Sequence, residues 1–267
     1  MAVSKAELKK LAFLKAKKGR KEEGMFLVGG VRLLEEALSS NFLPIKIYYS
    51  LTELSKRGQE ILARFKSGKT DCILMSKKEI DSISDTENTQ GIVALFKTPE
   101  IRLSKLYKPS FRRLLLCDQI NDPGNLGTLI RSARAFGFDM IMVTDKSAEL
   151  YNPKVVRSSA GAIFGLPAAS VSHLELSDFI SGKNIKIAAA VSNHNGQNDD
   201  SGVLALSKEK ENPLILAIGS EAEGLSSEVL ELSDHKISIK HDTKVESLNA
   251  AIAGSILMYE IWQKDKK

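Results

Sequence analysis

No apolar run in this chain approaches the roughly twenty residues that a bilayer-crossing helix needs. The opening "MAVSKAELKKLAFLKAKKGR" also lacks the apolar stretch of a signal peptide. A soluble, cytoplasmic protein with no membrane partner is expected. Cysteine is scarce. Cys72 and Cys117 are the only two, each inside an apolar run, which suits reduced core thiols rather than a disulfide framework. The four histidines, His173, His194, His235 and His241, fall at no zinc-ligand spacing, so no metal site is expected.

What is present is enough apolar substance for one large core or two ordinary ones, since 43% of the residues are hydrophobic. Two domains are expected. The net charge is +5, and residues 1–23 hold eight Lys/Arg against three Glu, an excess equal to that of the whole chain. The positive field therefore gathers at the N-terminal arm, around Lys17, Lys18, Arg20 and Lys21. Such a cluster fits contact with RNA phosphates as well as it fits a solvated amphipathic helix carrying Leu8, Leu11, Phe13 and Leu14.

Along the first hundred residues, "VRLLEEALSS" has helical spacing, while "IKIYYS", "CILMS" and "GIVALFK" predict short buried strands. From residue 97 the character changes, with two prolines, a scatter of basic residues and little periodicity. This predicts a domain over 1–100, a linker over 101–112 and a second domain over 113–267. In the second, "RLLLCDQ", "MIMVTD", "LPAASV", "KIAAAVS" and "PLILAIGS" alternate with helical patterns. That alternation predicts an α/β fold with a mostly parallel sheet covered on both faces.

Open parallel sheets bind ligands where loops leave the carboxyl ends of strands, and three stretches fall at such places. The first is "CDQINDPGNLGTLIRSARAFG": a strand over 113–119, a turn from Asn121 to Gly127, then a helix from about Leu126 to Phe136 that carries Arg131 and Arg134. Gly124 and Gly127 would allow close backbone approach. This loop has neither the G-x-G-x-x-G order nor the Gly-Lys-Ser/Thr ending of the common nucleotide loops. The second is "AIGSEAEGLSSEVLEL", with Gly219 and Gly224 on either side of Glu221 and a helix starting near Ser226. The third is "KVESLNAAIAGSILMYEIWQKDKK", where Ser247 and Asn249 stand at a helix start. Leu248, Ile252, Ile256, Tyr259 and Trp262 form one helical stripe, read as core or subunit interface.

Each stretch alone is ordinary turn and capping chemistry. In this order, "DPGNLGTLIRSARAFG", "AIGSEAEGL" and "VESLNAAIAGSILMYE" together resemble the three motifs of the SpoU family of RNA ribose 2′-O-methyltransferases, within the SPOUT class. The likeness covers nearly all of residues 113–262. The stretch "LKKLAFLKAKKGRKEEGMFLVGGVRLLEEAL" resembles the N-terminal substrate-binding domain of ribosomal-RNA members, whose fold is shared with a kink-turn-binding ribosomal protein.

The resemblance implies a small α/β RNA-binding domain followed by a catalytic domain whose C-terminal segment threads into a trefoil knot, a topology otherwise nearly absent from proteins. It implies S-adenosylmethionine held in the knot and a homodimer in which Arg131 acts close to the second copy's cofactor. By motif position it marks Gly219, Gly224, Ile239 and Leu248 as cofactor contacts. Asn125, Arg131, Glu221, Ser247 and Asn249 become the catalytic and structural polar set, with Arg134 beside them as an RNA contact. The chain departs from the family pattern in two places. "ISIKHDTK" replaces the usual Ile-Pro-Met and glycine, so that Lys240, His241 and Asp242 stand near the cofactor, and Gly29 replaces a common acidic residue.

A sulfonium donor carries its own activated methyl group, so the protein must align donor and acceptor and help a ribose hydroxyl lose its proton. A guanidinium does not normally deprotonate in proteins. Arg131 therefore suits a phosphate and transition-state clamp, with an RNA phosphate, water or Glu221 open as proton acceptor. Transfer-RNA methylation, methylation of a base nitrogen and non-catalytic RNA binding are the other readings. The intact polar set argues against a pure binder, the first motif favours ribose oxygen, and the N-terminal domain favours ribosomal RNA.

Overall fold

The computed structural model describes residues 3–86, 90–99, 102–192, 212–242, 244–245 and 247–266; His194 lies outside them. The chain forms two compact units, one of Met1–Glu100 with Tyr151–Gly165 and the other of Ile101–Leu150 with Leu166–Lys267.

The first unit begins with α1 (Lys5–Phe13) and α2 (Lys17–Glu23) and continues through β1 (Met25–Gly29), α3 (Val31–Ser39), β2 (Lys46–Tyr49) and α4 (Lys56–Ser67). It then adds β3 (Asp71–Leu74), α5 (Lys77–Ile83) and β4 (Ile92–Lys97). Its sheet has the order β1-β4-β2-β3, with β4 antiparallel to both neighbours and β3 parallel to β2. Strand alternation sorts the side chains of β1 and β4 between two faces. Leu27 and Leu95 pack with Leu11, Leu14 and Tyr48. Phe26 and Phe96, also paired in register, stack at 5.4 Å on the other face. The second aromatic layer includes residues from far along the chain: Tyr151 lies 4.6 Å from Phe26 and Phe164 lies 5.6 Å from Phe96, centroid to centroid. Between them runs α8 (Pro153–Ser158).

Two expectations change here. "CILMS" is not a buried strand, because β3 is the sheet's edge, with Leu74 49% exposed and Cys72 only half-buried. Arg20 is turned inward: it is 6% exposed, and its Nη1 donates to the carbonyls of Leu14 (3.1 Å) and Lys15 (2.8 Å) at the end of α1. Its guanidinium thus satisfies carbonyls that a helix end leaves unpaired, so it is not an RNA contact. Lys17, Lys18 and Lys21 stay exposed.

The second unit opens with a short helix, α6 (Leu103–Leu106), inside the stretch expected as linker, and Leu103 and Phe111 are buried in its core. There follow β5 (Arg113–Cys117), α7 (Pro123–Ala135), β6 (Met140–Thr144), β7 (Ala168–Val171), α9 (His173–Ile180), β8 (Lys186–Ala190) and β9 (Leu214–Ile218). The unit ends with α10 (Ser227–Glu231), β10 (His235–Ile237) and α11 (Ala250–Asp265). The sheet is six-stranded, ordered β10-β8-β9-β5-β6-β7, and every pairing is parallel. All carboxyl ends therefore share one edge. The chain moves outward from β5 to β7, then returns to lay β9 against β5, a change of direction of the kind at which parallel sheets open a crevice.

Helix α11 is pinned at both ends. Near its C-terminus Asp265 accepts from Nε (2.7 Å) and Nη2 (2.5 Å) of the nearly buried Arg113. Along its length Gly254 lies against α7, where an added Cβ would stand 2.4 Å from Leu129 Cδ2. Cys117 is fully buried, and burial together with the adjacent Asp118 pushes its thiol pKa up, so it stays an unreactive thiol.

Candidate active site

Helix α7 starts at Pro123, three residues before the expected point. Asp122 Oδ1 accepts from the Asn125 N–H (2.9 Å), and Pro123 supplies a first-turn residue that needs no donor. Gly124 and Gly127 consequently lie inside the helix rather than in a ligand loop. Strand β5 stops at Cys117 because Gln119 takes φ 59°, which bends the chain away from the sheet.

The loop after β9 folds back on itself. Ser220 and Gly224 exchange two backbone hydrogen bonds of 3.0 Å each, and Gly224 has φ +70°. Gly219 lies so close beneath that a Cβ there would stand 2.2 Å from the Gly224 carbonyl carbon. Neither glycine tolerates a side chain, for two different reasons: one lacks space and the other has a left-handed backbone.

This loop, the ends of β8 and β10 and the start of α11 enclose a cavity of about 620 Å³. Six residues marked in the sequence line it: Gly219, Glu221, Gly224, Ile239, Ser247 and Leu248. Ile239 stands past the strand end, since β10 closes at Ile237. The volume falls within the range of small-molecule sites, and the wall mixes apolar side chains with loop backbone.

The remaining marked residues separate into two groups. Asn125 and Asn249 join Glu221 in one network that ties all three motif stretches together. Glu221 Oε1 accepts from Asn125 Nδ2 (2.8 Å), Asn249 Nδ2 (2.5 Å) and the Ala250 N–H (3.3 Å), and Asn249 Nδ2 also donates to Asn125 Oδ1 (3.1 Å). Asn249 works in both directions, because its Oδ1 caps α11 by accepting from the N–H groups of Ala251 and Ile252. Capping fixes which end of the amide is oxygen, and that aims the nitrogen at Glu221.

Arg131 stands apart. It is exposed, lines no part of the cavity and has no hydrogen bond or ion pair among the described residues. Six residues after Asn125 on the same helix, it points about 120° away around the axis. Arg134 follows on that exposed face.

The stripe of Ile252, Ile256, Tyr259 and Trp262 is not core. Ile252 is 54% exposed and Tyr259 43%, while α11 buries its other face through Ala251, Gly254, Leu257, Met258 and Ile261. Tyr259 and Trp262 pack on Phe136 of α7 at 5.6 and 6.0 Å, leaving an apolar and aromatic surface shared by the two helices.

One polar centre was not legible in the sequence. Asp118 is completely buried; its Oδ1 accepts from Thr144 Oγ1 (2.9 Å) and lies 3.3 Å from His173 Nε2, and its Oδ2 accepts from the N–H and Oγ of Ser226 (both 2.7 Å). Ser226 caps α10 directly after the cavity loop. The carboxylate therefore anchors the end of that loop to β5, β6 and the start of α9. The only local signal was an acidic residue closing the apolar run "LLLCD".

No group of His, Cys, Asp and Glu suited to a metal ion occurs among the described residues, and no helix among them is long and apolar enough to cross a membrane.

The fold is that of a SpoU-type methyltransferase in comparison with known proteins. The model of the SpoU rRNA Methylase family matches residues 112–259, and that of the MRM3-like substrate binding domain matches residues 5–94. The chain belongs to the SpoU rRNA methylase family. It is 30% identical to the 23S rRNA (guanosine(2553)-2′-O)-methyltransferase RlmP of Bacillus subtilis, over 93% of this chain and 92% of that protein. It is 32% identical to the 23S rRNA (uridine(2479)-2′-O)-methyltransferase of Streptomyces viridochromogenes, over 93% and 86%. Among solved structures, the SpoU methyltransferase AviRb from Streptomyces viridochromogenes in complex with AdoMet superimposes with a TM-score of 0.85 at 28% identity, covering 99% of each chain.

Proposed function

We propose that this protein transfers the methyl group of S-adenosylmethionine to a ribose 2′-hydroxyl of ribosomal RNA. The observation that carries the reading is the Asn125–Glu221–Asn249 network, which brings three distant motif stretches together beside one cavity. Membership of the family and the names of the relatives support the ribosomal-RNA substrate.

The cavity fits the cofactor on its own chemistry. Leu225, Ile239, Leu248 and Leu257 offer apolar surface for a nucleoside, and the tightly folded Gly219–Gly224 loop offers backbone donors and acceptors. S-adenosylmethionine, when bound, supplies a methyl group already activated by the sulfonium. The rest falls to the chain's own residues. Glu221 Oε1, held by three donors, acts as a tie that fixes the loop, while its Oε2 has no partner among the described residues. Ser247 stands at the cavity wall as a further polar contact.

Arg131 is the clamp for the RNA phosphate beside the acceptor ribose, its bidentate fork suited to a phosphate whose charge polarises the neighbouring hydroxyl. It does so across a homodimer, because within one chain it is directed away from the cavity that Asn125 adjoins. The exposed stripe of α11 with Phe136 is the surface through which the second copy docks. The C-terminal segment that forms the cavity is the part threaded as a trefoil knot. Lys17, Lys18, Lys21 and Arg134 add sequence-independent attraction to the RNA backbone.

The test is methyl transfer from labelled S-adenosylmethionine to unmodified ribosomal and transfer RNA, followed by nucleoside analysis. A 2′-O-methylated nucleoside in ribosomal RNA is expected. A methylated base, or label only in transfer RNA, overturns the reading.

A further inference from the structure

His241 lines the cavity together with Ile239 and Leu248, and its Nδ1 lies 2.9 Å from the Ile239 carbonyl oxygen. A carbonyl only accepts, so Nδ1 carries the ring proton. In the neutral ring Nε2 is then an acceptor. It has no hydrogen-bond partner among the described residues, although the ring is half-buried. An imidazole fixed in one tautomer by its own loop, with its acceptor nitrogen unused at a ligand cavity, is arranged to receive a donor from the ligand.

We propose that His241 is a cofactor-positioning residue that accepts a hydrogen bond from S-adenosylmethionine through Nε2 while the ring is neutral. The inference rests on the cofactor reading above and concerns which side chain orients that ligand.

Calorimetric titration of the full chain with S-adenosylmethionine and with S-adenosylhomocysteine at one fixed pH tests this. His241→Gln, whose amide oxygen keeps an acceptor, should bind both ligands within about two-fold of the wild type. His241→Met, which removes the acceptor, should weaken both by several-fold, and in turnover should raise KM with kcat little changed. Binding by His241→Met as tight as that of the wild type, or by His241→Gln as weak as that of His241→Met, overturns the assignment while leaving the cofactor reading intact. Failure of the wild type to bind either ligand overturns the cofactor reading itself, and the inference with it.

Discussion

Asn125 and Arg131 occupy one helix, six residues apart, and could hardly differ more. The asparagine has both ends of its amide engaged, one by Glu221 and one by Asn249. The arginine has nothing among the described residues. A side chain whose every bond is met from within the chain is there to hold a shape. On the reading proposed above, the exposed arginine is left open for the RNA phosphate. The same division appears in α11, where Asn249 is locked at the first turn while Ile252 and Tyr259 stay uncovered.

If the division is right, Arg131→Lys should be the most damaging single change to activity. Turnover should fall on the order of 100-fold or more, because an ammonium cannot reproduce a bidentate fork at a developing charge. The thermal midpoint should not move, and a parallel fall in melting temperature would erase the contrast. Second in size is the uncovered face. Ile252→Asp or Tyr259→Asp should weaken self-association by about ten-fold or more in sedimentation equilibrium. Cofactor binding by each chain should be retained, so loss of fold instead would mean that the face is structural after all.

The locked side of the comparison predicts smaller effects. Asn249→Ser keeps a cap for α11 but loses the donor to Glu221, whereas Asn249→Ala loses both. The alanine variant should unfold with about 1 kcal/mol less stability than the serine variant, measured by chemical denaturation. Equal stabilities would show that the cap is irrelevant. Smallest is an effect in the first unit. Glu7 accepts from Lys46 Nζ (3.0 Å) and Tyr48 Oη (2.8 Å). The Lys46 hydrogen bond, followed by that of Tyr48, holds its carboxyl below the ordinary carboxylate range against a weaker effect of burial. A depressed folded pKa gives stability that is present above the unfolded value and disappears as pH falls through the folded one. Glu7→Gln should therefore cost up to about 1 kcal/mol near neutrality and almost nothing in strong acid. A difference that grows on acidification would reverse the sign of the effect.

The three motif stretches were legible because each is local: a strand end, glycines at set positions and a capping residue are written within a dozen neighbouring residues. The partnership of Asn125 with Glu221 was not, since it spans 96 positions and depends on β9 returning to lie against β5. Hydrophobic periodicity states that a strand exists and is silent about its neighbours. Arg20 illustrates the opposite error. In a run of lysines it counts as surface charge, and only the turn between α1 and α2 shows that it serves carbonyls instead. The apolar stripe of α11 was visible as a stripe, but α11 is apolar on more than one side, and only the structure separates the face against β9 from the face left open.

The aromatic layer of the first unit has a consequence for how such a protein could be assembled from parts. Because Tyr151 and Phe164 complete a stack begun by Phe26 and Phe96, the chain passes between the two units three times, at 100/101, 150/151 and 165/166. A single recombination joint in the stretch around residue 101 would transplant the N-terminal unit without the piece that finishes its interior. It would also leave that piece behind with two uncovered rings. Exchange of the N-terminal unit of this chain therefore needs residues 151–165 to travel as well, or a host segment that supplies the same two rings.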